Sequence, residues 1–249
     1  MATVRDSVSE EEWAVREDLA ACYRLVAREG WDDLVFTHIS ARVPGPEHHF
    51  LINPFGLLFE EITASSLVKI DLDGEIQLDT GYKVNAAGFT IHSAIHEASD
   101  EHRCVIHLHT LDGTAVASTE EGLLPLNQTG LLVHGDLAYH DYEGVAVDLD
   151  ERPRLVRDLA DKHLMLLRNH GTLTVGSTVA EAFTRMYFLE RACSMQVRTL
   201  AQSNRVVPVE EAVVAKTAKM GMDLSGAANG LVWPALRRKL DREDPAYRD

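Results

Sequence analysis

The chain is poor in cysteine, in basic residues and in long apolar runs, and each shortage excludes something. Its only cysteines are Cys22, Cys104 and Cys193, an odd number, widely separated, each inside an apolar pattern of helix or strand type. They read as reduced, packed thiols rather than a disulfide frame. Lys and Arg number 24 against 39 Asp and Glu, for a net charge of −15, and they gather into no basic stripe. Such a surface repels phosphate backbones and anionic lipid head groups, so neither nucleic acid nor a membrane surface is expected as a partner. No apolar run approaches the roughly 20 residues of a membrane span. The opening MATVRDSVSEEEW is acidic and lacks the apolar core of a secretion signal, so a cytoplasmic location is expected. Repeats, low-complexity tracts and Pro/Gly/Ser-rich linkers are missing as well. What remains is a chain of 249 residues, 45% of them apolar, able to bury a sizeable core. A single domain over 1–249 is expected, with its patterned part at about 11–203 and a tail at 204–249.

Local signals place the elements. Ser9 with Glu12 three residues on is a capping box, and Val15, Leu19, Cys22 and Val26 form one helical face that Gly30 ends. From about residue 34 the pattern turns to strands: VFTHISARV, HHFLINP and SLVKIDLDGEIQL, with Asp73-Gly74 as a two-residue hairpin turn. A helix over roughly 88–99 leads into VIHLHT, and LMLLRNHGTLTVG supplies two further strands around His170-Gly171. A second capping box, Thr178 with Glu181, opens a helix carrying Ala182, Met186, Leu189, Cys193, Val197 and Leu200 on one face. PVEEAVVAKTAKMG reads as a short helix in a less patterned tail with a polar end. Strands and helices in this mixed order predict a sheet covered by helices on its faces.

VIHLHT carries the chemistry. Side chains alternate across a strand, so His107 and His109 share one face while Ile106 and Leu108 take the other. Two imidazoles on successive pleats can converge on one divalent ion, which takes neutral imidazole nitrogen at about 2.0–2.1 Å. A third candidate, His170, ends an apolar strand just before Gly171, where the backbone turns and presents the side chain at the sheet edge. Three such ligands bind a metal facially and leave positions open for water or substrate.

VIHLHT followed some sixty residues later by LLRNHGTLTVG resembles the class II aldolase and adducin head-domain family. FTHISARV, LINPFG, ITASSLVKID, GFTIHSAIH, AYHDYEG and EAFTRMYFLERACSMQVRTLA extend the resemblance over about 11–203, and AYHDYEG, LLRNHG and QVRTLA look closer to adducin heads than to sugar-phosphate aldolases. The resemblance implies an α/β fold, a three-layer α/β/α arrangement with a central, mainly antiparallel sheet. It also implies a homotetramer and His107, His109 and His170 as ligands of a divalent metal: zinc first, with manganese, iron or cobalt as alternatives.

Departures from the family narrow the chemistry. Where family aldolases carry a metal-supporting, proton-moving glutamate, this chain has Gly88; where they carry phosphate-holding serines, it has Ala86 and Ala87. Thr37 and His38 replace a Gly-Asn pair, and Phe55 replaces a phosphate-binding threonine. Ala86, Ala87 and Phe55 remove anion-binding hydroxyls, and a phosphate left without donors pays its desolvation unaided. The resemblance places His38 at the substrate rim, as a donor or cation for a carboxylate, and makes Phe55 a pocket wall. His92, on the helix before the metal strand and a candidate for a direct role, either orders a metal ligand or packs on the sheet; His134 is a candidate proton carrier, and His140 and Tyr142 in the same segment either join it or lock a loop. Tyr247 resembles, on a thin local match, the family's tail tyrosine that serves as an acid; His48, His49, His102 and His163 read as solvated. The expected activity is that of a metal-dependent carbon–carbon lyase, a decarboxylase or retro-aldolase, acting on a non-phosphorylated oxo- or hydroxy-carboxylate. A non-haem iron oxygenase and an adducin-like binding module without catalysis are the competing expectations.

Overall fold

The structure is a computed structural model describing residues 3–84, 86–145, 149–202, 204–221 and 225–249, with the side chains of 86–89 and 225 outside the description. Helix α1 (Glu10–Glu29) starts where expected, since the Ser9 side chain accepts from the Glu12 N–H, and it stops at Gly30, whose φ of 70° is the left-handed conformation a helix end favours. Beyond it, β1 (His38–Arg42), β2 (Phe50–Ile52), β3 (Val68–Ile70) and β4 (Ile76–Leu78) pair antiparallel in sequence. Between β3 and β4 the turn is longer than the two residues predicted. Gly74 N–H bonds the Asp71 carbonyl at 3.2 Å across Leu72-Asp73, and Gly74 itself, at φ 87°, is the left-handed residue that closes such a turn with a bulge.

Helix α2 (Ala86–Ala98), β5 (Cys104–Leu108), α3 (Leu111–Ala117), α4 (Gln128–His134), β6 (Leu137–His140) and α5 (Arg152–Leu159) follow, then β7 (Leu164–Leu167), β8 (Gly171–Gly176) and α6 (Val179–Leu200). The eight strands form one sheet in the order β4-β3-β2-β1-β5-β8-β7-β6, antiparallel except for the β6–β7 pair. This is the α/β architecture with a mainly antiparallel central sheet that the sequence implied. Alternation on β5 builds both cores. Cys104, Ile106 and Leu108 join α1 and α6 on one face; Val105 joins α2 and α5 on the other. His107 therefore lies on the α2 face.

Two expectations about α6 and the tail change. On α6 the buried stripe stops before Leu200, which is 50% exposed, because the helix runs on past the sheet. Rather than a loosely patterned polar end, the tail packs on α1. After α7 (Glu211–Gly221) and the single turn α8 (Ser225–Ala227), α9 (Trp233–Glu243) buries Trp233 and Leu240. Tyr247 is fully buried, and its carbonyl accepts from the Ala64 N–H at 2.9 Å. Trp233 Nε1 donates to Asp18 at 2.9 Å and Arg237 Nη2 to Glu17 at 2.9 Å. No described helix is long and apolar enough to cross a membrane.

Candidate metal centre

β1 and β5 pair with His38 opposite His107, so those two rings project from neighbouring strands on the α2 face. VIHLHT is not strand throughout. β5 ends at Leu108, and His109 stands one residue past it, where the chain bends toward α3. Opposite, Asn169 takes a φ of 56° between β7 and β8 and brings His170 to the same strand ends, beside His109. Asn tolerates that left-handed conformation better than most residues.

The result is a triangle of imidazoles. Ring centroids lie 4.9 Å apart for His107–His109, 4.7 Å for His107–His170 and 4.9 Å for His109–His170. One nitrogen from each falls within 4.8 Å of the other two, and no fourth His, Cys, Asp or Glu joins them among the described residues. Two of the rings are held from behind. His107 Nδ1 donates to the Thr172 carbonyl at 3.1 Å, and His109 Nδ1 donates to Asp33 Oδ2 at 3.1 Å. Donation through Nδ1 leaves Nε2 of a neutral ring as a lone pair, the form a metal takes. Nε2 of His109 is buried and without a hydrogen-bond partner. Burial, then the neighbouring His170 and His109, holds His107 well below the ordinary imidazole range; burial, then His109, brings His170 to about 4. Neutral rings compete least with a cation. These observations fit a divalent ion held by three imidazoles with open positions, as in catalytic rather than structural sites.

A second histidine pair borders the triangle. The His38 and His92 rings are 6.0 Å apart, edge to face, and Nε2 of each is buried without a partner. Burial lowers His38 to about 4, with His109 adding to it. Thr37, just before His38, is buried at φ 65°, a strained conformation for a β-branched residue and one that collects at functional sites. The Tyr23 hydroxyl accepts from Ile39 N–H at 2.8 Å and donates to Asn53 Oδ1 at 2.9 Å, tying β1 beside His38 to the chain that leads to Phe55. Phe55 is 51% exposed, so it is not core, and no described contact joins it to the three rings.

The remaining candidates disperse. Tyr142 stays near, 53% exposed with its ring 6.3 Å from His170. His134 ends α4 exposed, and no described contact joins it to the three rings. His140 is buried between carboxylates, with Nδ1 2.8 Å from Asp158 and Nε2 3.2 Å from Glu151, which locks its loop. Tyr247 serves the tail, donating to Asp241 at 2.6 Å, and no described contact joins it to the three rings. His163 is not free in solvent but bonds Asp136 at 2.9 Å, and half-buried His102 is bonded too. Gly88 lies in the first turn of α2 and carries no carboxylate, while the side chains of Ala86 and Ala87 lie outside the described residues. Sequence reasoning missed Asp33, for which no motif exists in GWDDLVF, and Thr172. The Thr172 hydroxyl donates to Glu190 Oε1 at 3.0 Å from the opposite face, and burial pushes that carboxyl up to about 7.

A helix-covered, mainly antiparallel sheet with three histidines at the ends of interior strands defines the class: an α/β/α protein with a metal-type cluster. Residues 17–197 match the model of the Class II Aldolase and Adducin N-terminal domain, and the chain belongs to that family. It is 50% identical to the aldolase II superfamily protein of Pseudomonas syringae, whose crystal structure superposes with a TM-score of 0.95 over 99% of each chain. Likeness to L-fuculose 1-phosphate aldolase from Glaciozyma antarctica PI12 is 32% in identity, with a TM-score of 0.84 over 100% of this chain and 96% of that one. Mouse alpha-adducin is 47% identical over 192 residues, 76% of this chain but only 26% of the adducin.

Proposed function

We propose that the protein is a divalent-metal-dependent carbon–carbon lyase acting on a small, non-phosphorylated oxo- or hydroxy-carboxylate. The observation that carries this reading is the triangle of His107, His109 and His170, two of whose rings are turned by Thr172 and Asp33 to offer lone pairs. When bound there, a divalent ion such as zinc supplies Lewis acidity to an oxygen that gains negative charge as the neighbouring carbon–carbon bond breaks. The chain's own residues handle the rest of the ligand. His38 and His92 offer buried, unpartnered ring nitrogens to its polar groups, and Phe55 and Tyr142 border it as half-exposed walls. With Gly88 in place of a carboxylate, decarboxylation is favoured over retro-aldol cleavage, since carbon dioxide leaves without a hydroxyl being deprotonated. A homotetramer is proposed with it, in keeping with the family's frequent assembly state and with Leu34 and Leu111, 65% and 89% exposed beside the centre.

Two comparisons favour other readings. Similarity to a protein named L-fuculose 1-phosphate aldolase favours a phosphosugar, against which stand Phe55, Ala86 and Ala87, none with a side-chain donor for phosphate. Similarity to alpha-adducin favours a binding module, against which stands the retention of three converging imidazoles. Metal analysis of native protein and His109→Ala, with both assayed on matched phosphorylated and unphosphorylated acids, separates them. The proposal expects about one bound ion per chain and turnover of the unphosphorylated acid, both lost in His109→Ala. Turnover that requires oxygen and iron identifies an oxygenase, and full turnover by the metal-free variant refutes the lyase.

A further inference from the structure

We infer that Ser40 and His96 are positioning residues that fix the proton of His92 on Nδ1 and present its bare Nε2 to the metal pocket as a hydrogen-bond acceptor. The assignment deepens the lyase reading by specifying what the ligand brings to that point, namely a hydroxyl. It rests on that reading only for the ligand; the protons follow from the hydrogen bonds alone.

Three bonds run in series. His96 Nδ1 lies 2.8 Å from the His102 carbonyl oxygen, which has no proton to give, so Nδ1 carries one and donates. In a neutral ring Nε2 of His96 is then a lone pair. Ser40 Oγ, 2.7 Å away, gives that lone pair its single proton. With its proton committed, the Ser40 oxygen can only accept from His92 Nδ1 at 2.6 Å, so the His92 proton sits on Nδ1. Nε2 of His92 is left as a lone pair, buried and without a partner. Both rings and Ser40 are fully buried, and burial holds His96 down at about 3 and His92 well below the usual range, which keeps them neutral.

Local structure explains why these residues meet. His92 and His96 stand four apart on α2 and share a face; Ser40 stands two from His38 on β1 and shares the α2 face with it. The Phe50 ring packs against His96 at 4.9 Å. Arg42 donates to the His96 carbonyl, and its charge discourages a second proton on that ring. His92 in turn lies near enough to weigh on His107. A ligand hydroxyl can donate to Nε2 of His92, whereas an oxo oxygen there meets a lone pair.

Neutron diffraction from perdeuterated crystals tests the protons directly. Native protein is expected to show deuterium on Nδ1 of His92 and of His96 and none on Nε2 of His92. Deuterium on Nε2 of His92 overturns the inference. Ser40→Ala is expected to let deuterium appear on His92 Nε2, and Ser40→Thr, which keeps the hydroxyl, to restore the native pattern; an unchanged pattern in Ser40→Ala removes the positioning role. In zinc-loaded native protein, lactate is expected to bind about five- to tenfold tighter than pyruvate, the worth of one hydrogen bond. Equal binding, or binding of neither, overturns the ligand class. Failure of the metal reading shows separately, as absence of bound metal with the deuterium pattern intact.

Discussion

Replacing Asp33 by alanine removes the acceptor behind His109 and touches no ligand atom. In the native protein Asp33 Oδ2 lies 3.1 Å from His109 Nδ1, with the two side chains 44% and 30% exposed. The carboxylate holds the ring proton on Nδ1 and keeps Nε2 bare. Loss of such a partner weakens metal binding by about 10- to 100-fold. Solvent reaches both groups here, and screening places the effect at the low end, about tenfold or about 1.4 kcal/mol. Asp33→Asn, which can still accept through its amide oxygen, falls between alanine and native. The assay is competition for zinc against a chromophoric chelator, with cobalt absorption reporting the geometry of the site. His107 is the internal comparison, since its partner is a backbone carbonyl that substitution leaves in place. Unchanged affinity in Asp33→Ala, within about twofold, refutes the assignment of His109 as a ligand through Nε2.

Metal-free protein is expected to lose stability as pH falls. His38 and His96 sit at about 4 and about 3 in the fold against an ordinary 6.5, so the unfolded chain takes up protons the fold refuses. Stability is full above about 6.5 and falls below it, by up to about 1.4 kcal/mol per pH unit for each ring; a urea midpoint that stays flat down to about pH 5 contradicts this. Arg16→Ala removes one of the two cations on Glu12, which is 3% exposed and pairs with Arg16 at 2.9 Å and Lys69 at 2.8 Å. The expected loss is about 3–5 kcal/mol in urea unfolding, and a loss below about 1 kcal/mol shows that Lys69 alone satisfies Glu12. Deleting residues 245–249 removes fully buried Tyr247 and its hydrogen bonds, for a loss of about 3–5 kcal/mol with zinc affinity unchanged. A truncated protein as stable as native shows that the tail does not dock in solution.

Much of this was legible because caps and alternation are local. Ser9 and Thr178 each accept from the N–H three residues on, and β5 divides its side chains between the two cores as VIHLHT implied. Illegible parts depend on distance. Asp33 sits 76 residues from the histidine it holds, and Ser40 sits 52 and 56 residues from the two it joins. The tail docks through contacts to α1 more than 200 residues away, which no short window contains. The parallel β6–β7 pair and the seven-residue helices α3 and α4 are too short for their periodicity to show.

Five histidines in one small volume carry a physical demand that singly placed ones do not. A charge on His38, His92, His107 or His170 is opposed by burial and by neighbouring rings, as His107 shows with His170, His109 and His92 all acting on it. For three of the five, the fold specifies where the ring keeps a proton, and it does so with oxygens it cannot misread: the Thr172 carbonyl for His107, the Asp33 carboxylate for His109 and, through Ser40 and His96, the His102 carbonyl for His92. In each case Nδ1 is the protonated atom and Nε2 faces inward. A core stabilised by packing alone gains nothing from that uniformity, since an apolar residue at any of these positions avoids the desolvation altogether. Lone pairs offered from the end of β5 and from α2 suit a cation and the donors of a molecule bound beside it, and that ties the tautomers of these rings to the proposed chemistry.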